Sequence, residues 1–259
     1  RKDLKKLLSK IDIKIFKLII KTTWPFVFIT LIGTIMGNID IYMLGIWKNA
    51  GEIGLYASVQ RIQQFIMIAP STIGVAVFPL MSRLANTDKE QFRTTLEKTL
   101  SLIKLIGIPT SLVGVILADQ LIPLIFGHDY SGAIPIMRII MLMLLISFPL
   151  VLLSNAIFAH NKQKKLAPAY TFGILANILF NLLLIPKFGA VGAALATLVS
   201  TTIITIVIWR KLKIINYFEV MPKLKKSFFA TLVMIFSIFI IKYLEVGVVL
   251  NIIVSAIIY

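Results

Sequence analysis

Long apolar stretches alternate with short polar connections along the whole chain. Eight stretches can be cut: 22–46, 54–82, a third ending near Ala118, then 134–158, 167–186, 189–209, 227–244 and one starting near Val246. Most are close to the roughly 20 residues that cross a hydrocarbon core as a helix. The leader before them places Leu4, Leu7, Leu8, Ile11, Ile15, Leu18 and Ile19 at helical spacing, with lysines mostly on the other faces. It predicts an amphipathic helix over 1–21 lying in the membrane interface. Pro70 and Pro79 predict a bend in the second span, because each removes a backbone donor. Thr87 and Glu90 have capping-box spacing and predict a helix start. Asp119–Ala133, with Pro123, Gly127 and Gly132, reads as a connection, and Pro149 as a kink in the fourth span. The fifth and sixth spans are joined by so short a turn that they are expected to be antiparallel neighbours. Gly189, Gly192, Ala193 and Ala196 form two small-xxx-small pairs, which predict a close helix–helix contact.

Charge gives these spans a direction. The leader and connections 83–98, 160–165 and 210–226 hold 21 of the 27 Lys and Arg residues; the alternate connections, 47–53, 119–133, 187–188 and 242–245, hold 3. This is the positive-inside pattern of a polytopic membrane protein whose leader is cytoplasmic. A hydrophobic fraction of 58% and a mean hydropathy of +0.94 exceed what a soluble domain could hide. The formal charge of +16 therefore points to anionic membrane lipids as partners and not to nucleic acid, which needs a basic soluble face. Cysteine is absent, which excludes disulfides and thiolate metal sites. The chain starts at Arg1 and its last stretch is too short to cross, so it is expected to be an internal piece of a longer protein, ending inside a helix.

Signals for enzyme chemistry are missing. His128 and His160 fall in connections without metal-ligand spacing, and there is no nucleophile elbow or P-loop. Intramembrane ions carry more information, since a charge near mid-bilayer costs several kcal/mol unless paired or hydrated. Asp40 and Arg61 are each expected roughly 10 Å below the outer boundary, at 1.5 Å per residue. Two readings stand: a permanent ion pair pinning two helices, or a hydrated cavity in which Arg61 meets an anionic ligand and Asp40 is its exchangeable counter-ion. Gln64 shares the face of Arg61 at i+3, and the planar guanidinium suits phosphate oxygens. Arg138, near the start of the fourth span, is a further candidate for the cavity. Asn155, Asn177 and Asn181 are buried amides of the kind that glue helices together.

Several segments resemble a known family. NIDIYMLGIWKNAGEIGLYASVQRI, APSTIGVAVFPLMSRLA, LIPLIFGHDYSGAIPIMRI and NLLLIPKFGAVGAALATLVS occur in order, covering most of 24–209. Together they resemble the second half of the Wzx-type oligosaccharide flippases of the MATE/MOP superfamily. The resemblance implies an all-α integral membrane fold: a C-terminal MATE-like lobe of about eight transmembrane helices, the last truncated. The expected division is a basic leader (1–21), a six-helix lobe (22–209), a basic cytoplasmic loop (210–226) and two extra helices (227–259). It also implies export of undecaprenyl-pyrophosphate-linked oligosaccharide across the bacterial inner membrane, with the missing N-terminal lobe as partner, and a cavity residue at Arg61 beside the Asp at Asp40. No cofactor is expected; coupling to protons or sodium stays open. The rivals are a cation-coupled multidrug or lipid II exporter of the same fold, and a membrane-embedded glycan polymerase or acyltransferase.

Overall fold

The computed structural model describes residues 13–219. Residues 1–12, and with 220–259 the end of the basic loop and both extra C-terminal spans, lie outside the described residues. The described residues form α-helices and two 3-10 turns, with no strand among them: α1 (Ile13–Trp47), α2 (Ala50–Ile66), α3 (Ile68–Thr87), α4 (Lys89–Ile116), α5 (Ala118–Phe126), a 3-10 turn (His128–Ala133), α6 (Ile134–Ala159), a second 3-10 turn (Gln163–Lys165) and α7 (Leu166–Ile215). Four helical stretches, 50–87, 89–116, 128–159 and 163–215, are long and apolar enough to cross a membrane.

The last of these supplies two passes, because α7 is folded back at Gly189, where φ is 58° and ψ is −135°. Asn177 reaches Thr197 and Ser200 across the fold, and a side chain at Gly173 would run into Ile204. The expected antiparallel pair is therefore present. Gly189 is itself the turn, however, and the close backbone approach between the arms is at Gly192. A side chain at Gly192 would collide with the Leu184 carbonyl of the first arm.

Other sequence expectations shift at their edges. α1 has 35 residues and starts at Ile13, about 52 Å at helical rise. No break separates the leader from the first span at residue 21. α7 continues to Ile215, so Arg210, Lys211 and Lys213 ride on its final turns and the basic loop starts later than 210. The second span breaks at Met67, between α2 and α3. Pro70 cannot donate to the Ile66 carbonyl and crowds it, which places the break three residues upstream. Pro79 and Pro149 stay within helices. The start of α4 is capped by Asp88, whose carboxylate accepts from the Glu90 and Gln91 amides at 3.0 and 2.9 Å. Thr87 is the last residue of α3 and turns its hydroxyl back to Arg83 O, so the two-point cap comes from the carboxylate one residue later. Finally, 119–133 is ordered as α5 and a 3-10 turn, divided by Gly127 at φ 89°.

Packing is that of a protein whose solvent is hydrocarbon. α6 is the central helix, packed on α3, α4 and α7, and α1 packs along α7. Phe92, Phe148, Leu44 and Met81 are fully buried. Phe65, Val75, Tyr42 and Ile46 are at least 70% exposed, an arrangement that water would penalise and lipid does not. The ends of the bundle sort by charge as expected. At one end the three lysine-poor turns meet: Lys48 Nζ donates to Pro186 O at 3.2 Å, Ala190 N donates to Glu52 Oε2 at 2.8 Å, and Gly132 abuts Leu55. At the other end the basic connections meet: Lys211 Nζ donates to Lys165 O at 2.8 Å, Asn216 Nδ2 to Lys89 O at 3.2 Å, and the rings of Phe92 and His160 lie 4.5 Å apart.

Candidate functional site

Asp40 is the organising group. It sits seven residues before the end of α1, about 10 Å inside the lysine-poor end, and is 2% exposed. Three other segments converge on it. Tyr56 of α2 donates its phenol to Oδ2 at 2.6 Å. Thr197, on the second arm of α7, donates to the same oxygen at 2.5 Å. From the first arm, Asn181 and Asn177 donate to Oδ1 at 2.6 and 3.2 Å. The i, i+4 spacing of the two asparagines puts both amides on one helix face, and the fold at Gly189 brings Thr197 opposite them. Four donors aimed at two oxygens match an ionised, acceptor-only carboxylate. All four are neutral. One buried polar atom of the group, Asn181 Oδ1, has no partner.

The carboxylate opens onto a polar cleft of about 440 Å³ walled by Gly37, Tyr56, Gln60, Gln63, Gln64, Ser71, Thr72 and Thr197. Gln60 Nε2 ties the wall to Gly37 O at 2.5 Å. A second cleft of about 440 Å³ shares Gly37, Gln63, Met67 and Thr197 with the first and carries on to Ser147, Ser154, Asn155 and Tyr170. Asn155 is four residues from the end of α6 at the basic side. A hydroxyl- and amide-lined path thus runs from the Asp40 level almost to the opposite end of the bundle. Gly74 borders it; a Cβ there would stand 2.6 Å from Asn155 Nδ2.

Of the four residues singled out from sequence, the structure brings Asp40 and Gln64 into one cleft. It does not bring Arg61 to Asp40. The ion pair considered from sequence is absent, and with it the role of Asp40 as counter-ion to that arginine, because among the described residues the one salt bridge is Arg93–Glu97. The reason is helical phase. Arg61 lies five residues beyond Tyr56, roughly 140° further around α2, so the turn that points Tyr56 at Asp40 points Arg61 outward, where it is exposed. It lines neither polar cleft, although Gln60 and Gln64 on the same helix line the first. Arg138 is also exposed, four residues into α6 near the lysine-poor end, and lines neither polar cleft. Tyr56 and Thr197 were not anticipated. Asn177 and Asn181 were expected as helix glue; they do join helices, and they do so through a charge. Among the described residues no cluster of three or more His, Asp or Glu could hold a metal.

A family described as polysaccharide biosynthesis protein matches residues 4–135, half of the chain. The probable flippase AglR of Haloferax volcanii is 30% identical over 178 residues, 67% of this chain and 37% of the relative. The putative O-antigen transporter of Shigella flexneri is 23% identical over 167 residues, 64% of this chain and 40% of the relative. The chain therefore spans less than half the length of these relatives. Among solved structures, the lipid II flippase MurJ in an inward closed conformation superposes with a TM-score of 0.76 at 22% identity, covering 95% of this chain and 54% of MurJ. An outward-facing multidrug resistance MATE family transporter superposes with a TM-score of 0.68 at 17% identity, covering 87% of this chain and 54% of that one. The described residues share the all-α fold of these multi-pass membrane proteins, and the curated relatives carry the names flippase and transporter. Matched by the family over half its length, the chain belongs to the polysaccharide biosynthesis proteins.

Proposed function

We propose that this chain is the second lobe of a flippase that carries a polyprenyl-linked oligosaccharide from the cytoplasmic to the outer leaflet of the plasma membrane by alternating access. Undecaprenyl pyrophosphate is the carrier implied by the family resemblance. The observation that carries the reading is the polar path. Two adjoining clefts, each about 440 Å³, set glutamine, serine, threonine and asparagine side chains among aliphatic ones such as Met67, Ile68, Leu150 and Val151, inside helices that otherwise face lipid. Sugars need many neutral hydrogen-bond partners and little fixed charge, and this lining offers both. The missing first lobe would supply the facing wall, and the exposed Arg61, one turn before Gln64, would neutralise the phosphate as the head group passes.

Asp40 fits the energetic side of the cycle. An ionised carboxylate held only by neutral donors at this depth lacks a counter-charge, and burial makes that costly. A proton or a small monovalent cation is the charge it calls for. Asp40, Thr197 and the unpartnered Asn181 Oδ1 supply hard oxygen donors with a single negative charge between them. A transport cycle can use such a site to couple an ion gradient to the change of access.

The test uses the full-length protein in a host lacking its own flippase. Arg61→Ala should abolish surface polysaccharide while protein level and thermal stability stay unchanged. Asp40→Asn should leave the protein folded and make export insensitive to the ion gradient. Full export by Arg61→Ala would remove Arg61 from the mechanism, export by Asp40→Asn that still responds to the gradient would remove Asp40, and export failure by the unaltered protein would remove the function.

A further inference from the structure

α2 and α3 separate two unlike cavities. One side of this broken helix is the glutamine wall of the polar cleft. The other borders an apolar trough of about 640 Å³ between α2, α4, α5 and α6, whose lining includes Ile62, Phe65, Leu105, Ile125 and Met137. A further apolar cavity of about 350 Å³ shares Phe65, Ile66, Ile106 and Thr110 with it and continues past the break at Met67 to Ala69 and Phe148. From Met137 to Phe148 along α6 the trough covers about 16 Å at helical rise, half of the ~30 Å hydrocarbon core. Its open side is fringed by exposed apolar residues, Phe65 at 75% and Ile125 at 52%.

Trough and cleft meet at α3: Ile68 lines both the polar cleft and the lower part of the trough. Arg61 lines neither cavity, but its azimuth on α2 falls between their two faces. One turn along α2, Gln64 at i+3 faces the cleft and Phe65 at i+4 faces the trough. A cation is therefore stationed on the line where polar lining changes to apolar lining. That order, neutral amides, then a guanidinium, then a chain-sized apolar channel, is complementary to an amphiphile with a sugar head, a phosphate and a hydrocarbon tail.

We infer that the trough seats the first part of the hydrocarbon chain of the transported lipid, with α2 straddled between the chain on one side and the glycan on the other. This rests on the flippase reading above and adds to it. The tail does not trail freely through bulk lipid but is held against Phe65, Leu105 and Ala69, in register with the phosphate at Arg61. The break at Met67 adjoins Ile68, the residue that lines both cavities.

The experiment uses full-length protein in vesicles of phosphatidylethanolamine and phosphatidylglycerol, with a polyprenyl phosphate bearing a photoreactive diazirine in its chain. Crosslinks should map to peptides containing Phe65, Ala69 and Leu105. They should be competed by unlabelled polyprenyl phosphate and not by added phosphatidylglycerol. Ala69→Trp, which fills the trough from an exposed position, should lower crosslinking and flipping together by about tenfold, the cost of displacing two methylenes from an apolar site. Phe172→Trp, exposed but outside the trough, should change neither. Three results would overturn the inference: crosslinks spread evenly over the lipid-facing surface, competition by phosphatidylglycerol equal to that by polyprenyl phosphate, or crosslinks blocked because the first lobe covers Phe65. In each, flipping by the unaltered protein would show that the transport reading survives while the trough does not.

Discussion

Thr197→Val isolates the contribution of one donor to the Asp40 group. Valine keeps the shape of the side chain and removes the hydroxyl that donates to Asp40 Oδ2 at 2.5 Å and accepts from Asn177 Nδ2 at 3.3 Å. A hydrogen bond to a charged partner contributes about 1.5–3 kcal/mol. Here three other donors remain on the carboxylate, so the lower part of that range, about 2 kcal/mol, is expected, and no cavity term is added because volume is conserved. Thermal unfolding of the purified full-length protein in detergent should show the midpoint falling by several degrees. The decisive measurement is the cycle with Asp40→Asn. Once the charge is gone the hydroxyl has much less to stabilise, so Thr197→Val should cost at least about 1 kcal/mol less in that background, within the coupling seen for residues in contact. An unchanged midpoint, or the same loss with and without the carboxylate, would refute the reasoning that binds the two arms of α7 to α1 through this anion.

Gly189→Ala should destabilise by about 2–4 kcal/mol, read in the same unfolding assay: the backbone at φ 58° costs an alanine about 1–3 kcal/mol, and its Cβ, 2.6 Å from Glu52 Oε2, would displace the carboxylate that caps the Ala190 amide, about 1 kcal/mol more. His160 should make stability fall under mild acid: burial, with Lys162 and Lys89 nearby, holds its pKa below the ordinary 6.5. The unfolded chain therefore binds the proton more readily, and stability is lost as pH drops below that value and into the range of the lowered one. His160→Gln should flatten this part of the pH–stability curve, and an unaltered slope would assign it elsewhere.

Much of the lobe was legible because its two organising signals are local. Apolar runs separated by polar turns marked the spans, and lysine placement sorted the turns into two ends that the contacts Lys48–Pro186 and Lys211–Lys165 reproduce. Breakers were less reliable. Pro123 and Gly127 made 119–133 read as loop, yet α5 forms with its proline inside and ends at the glycine. Asp88 displaced Thr87 as a cap because candidates one residue apart compete for the same amides. Asp40 stood out in the sequence because a charge inside an apolar run needs a reason. Its partners did not, since Asn177, Asn181 and Thr197 lie 137, 141 and 157 residues away and no spacing rule reaches that far. The one trace was the i, i+4 pair of asparagines on an otherwise apolar helix. Arg61 was matched to Asp40 by depth alone, and depth leaves the azimuth of a helix undetermined.

The fastening of the lysine-poor turns has a mechanical corollary. Glu52 stitches the foot of α2 to the reversal of α7, and Lys48 adds a second stitch to the same corner. That pole of the lobe is stiff. Deeper along the bundle Pro70 has no N–H for the Ile66 carbonyl, and the ladder loses a rung around Met67, so compliance is concentrated there. Bending should leave the lysine-poor rim intact and swing α3, with Ser71 and Thr72, relative to it, widening the cleft towards the basic end while the other side stays shut.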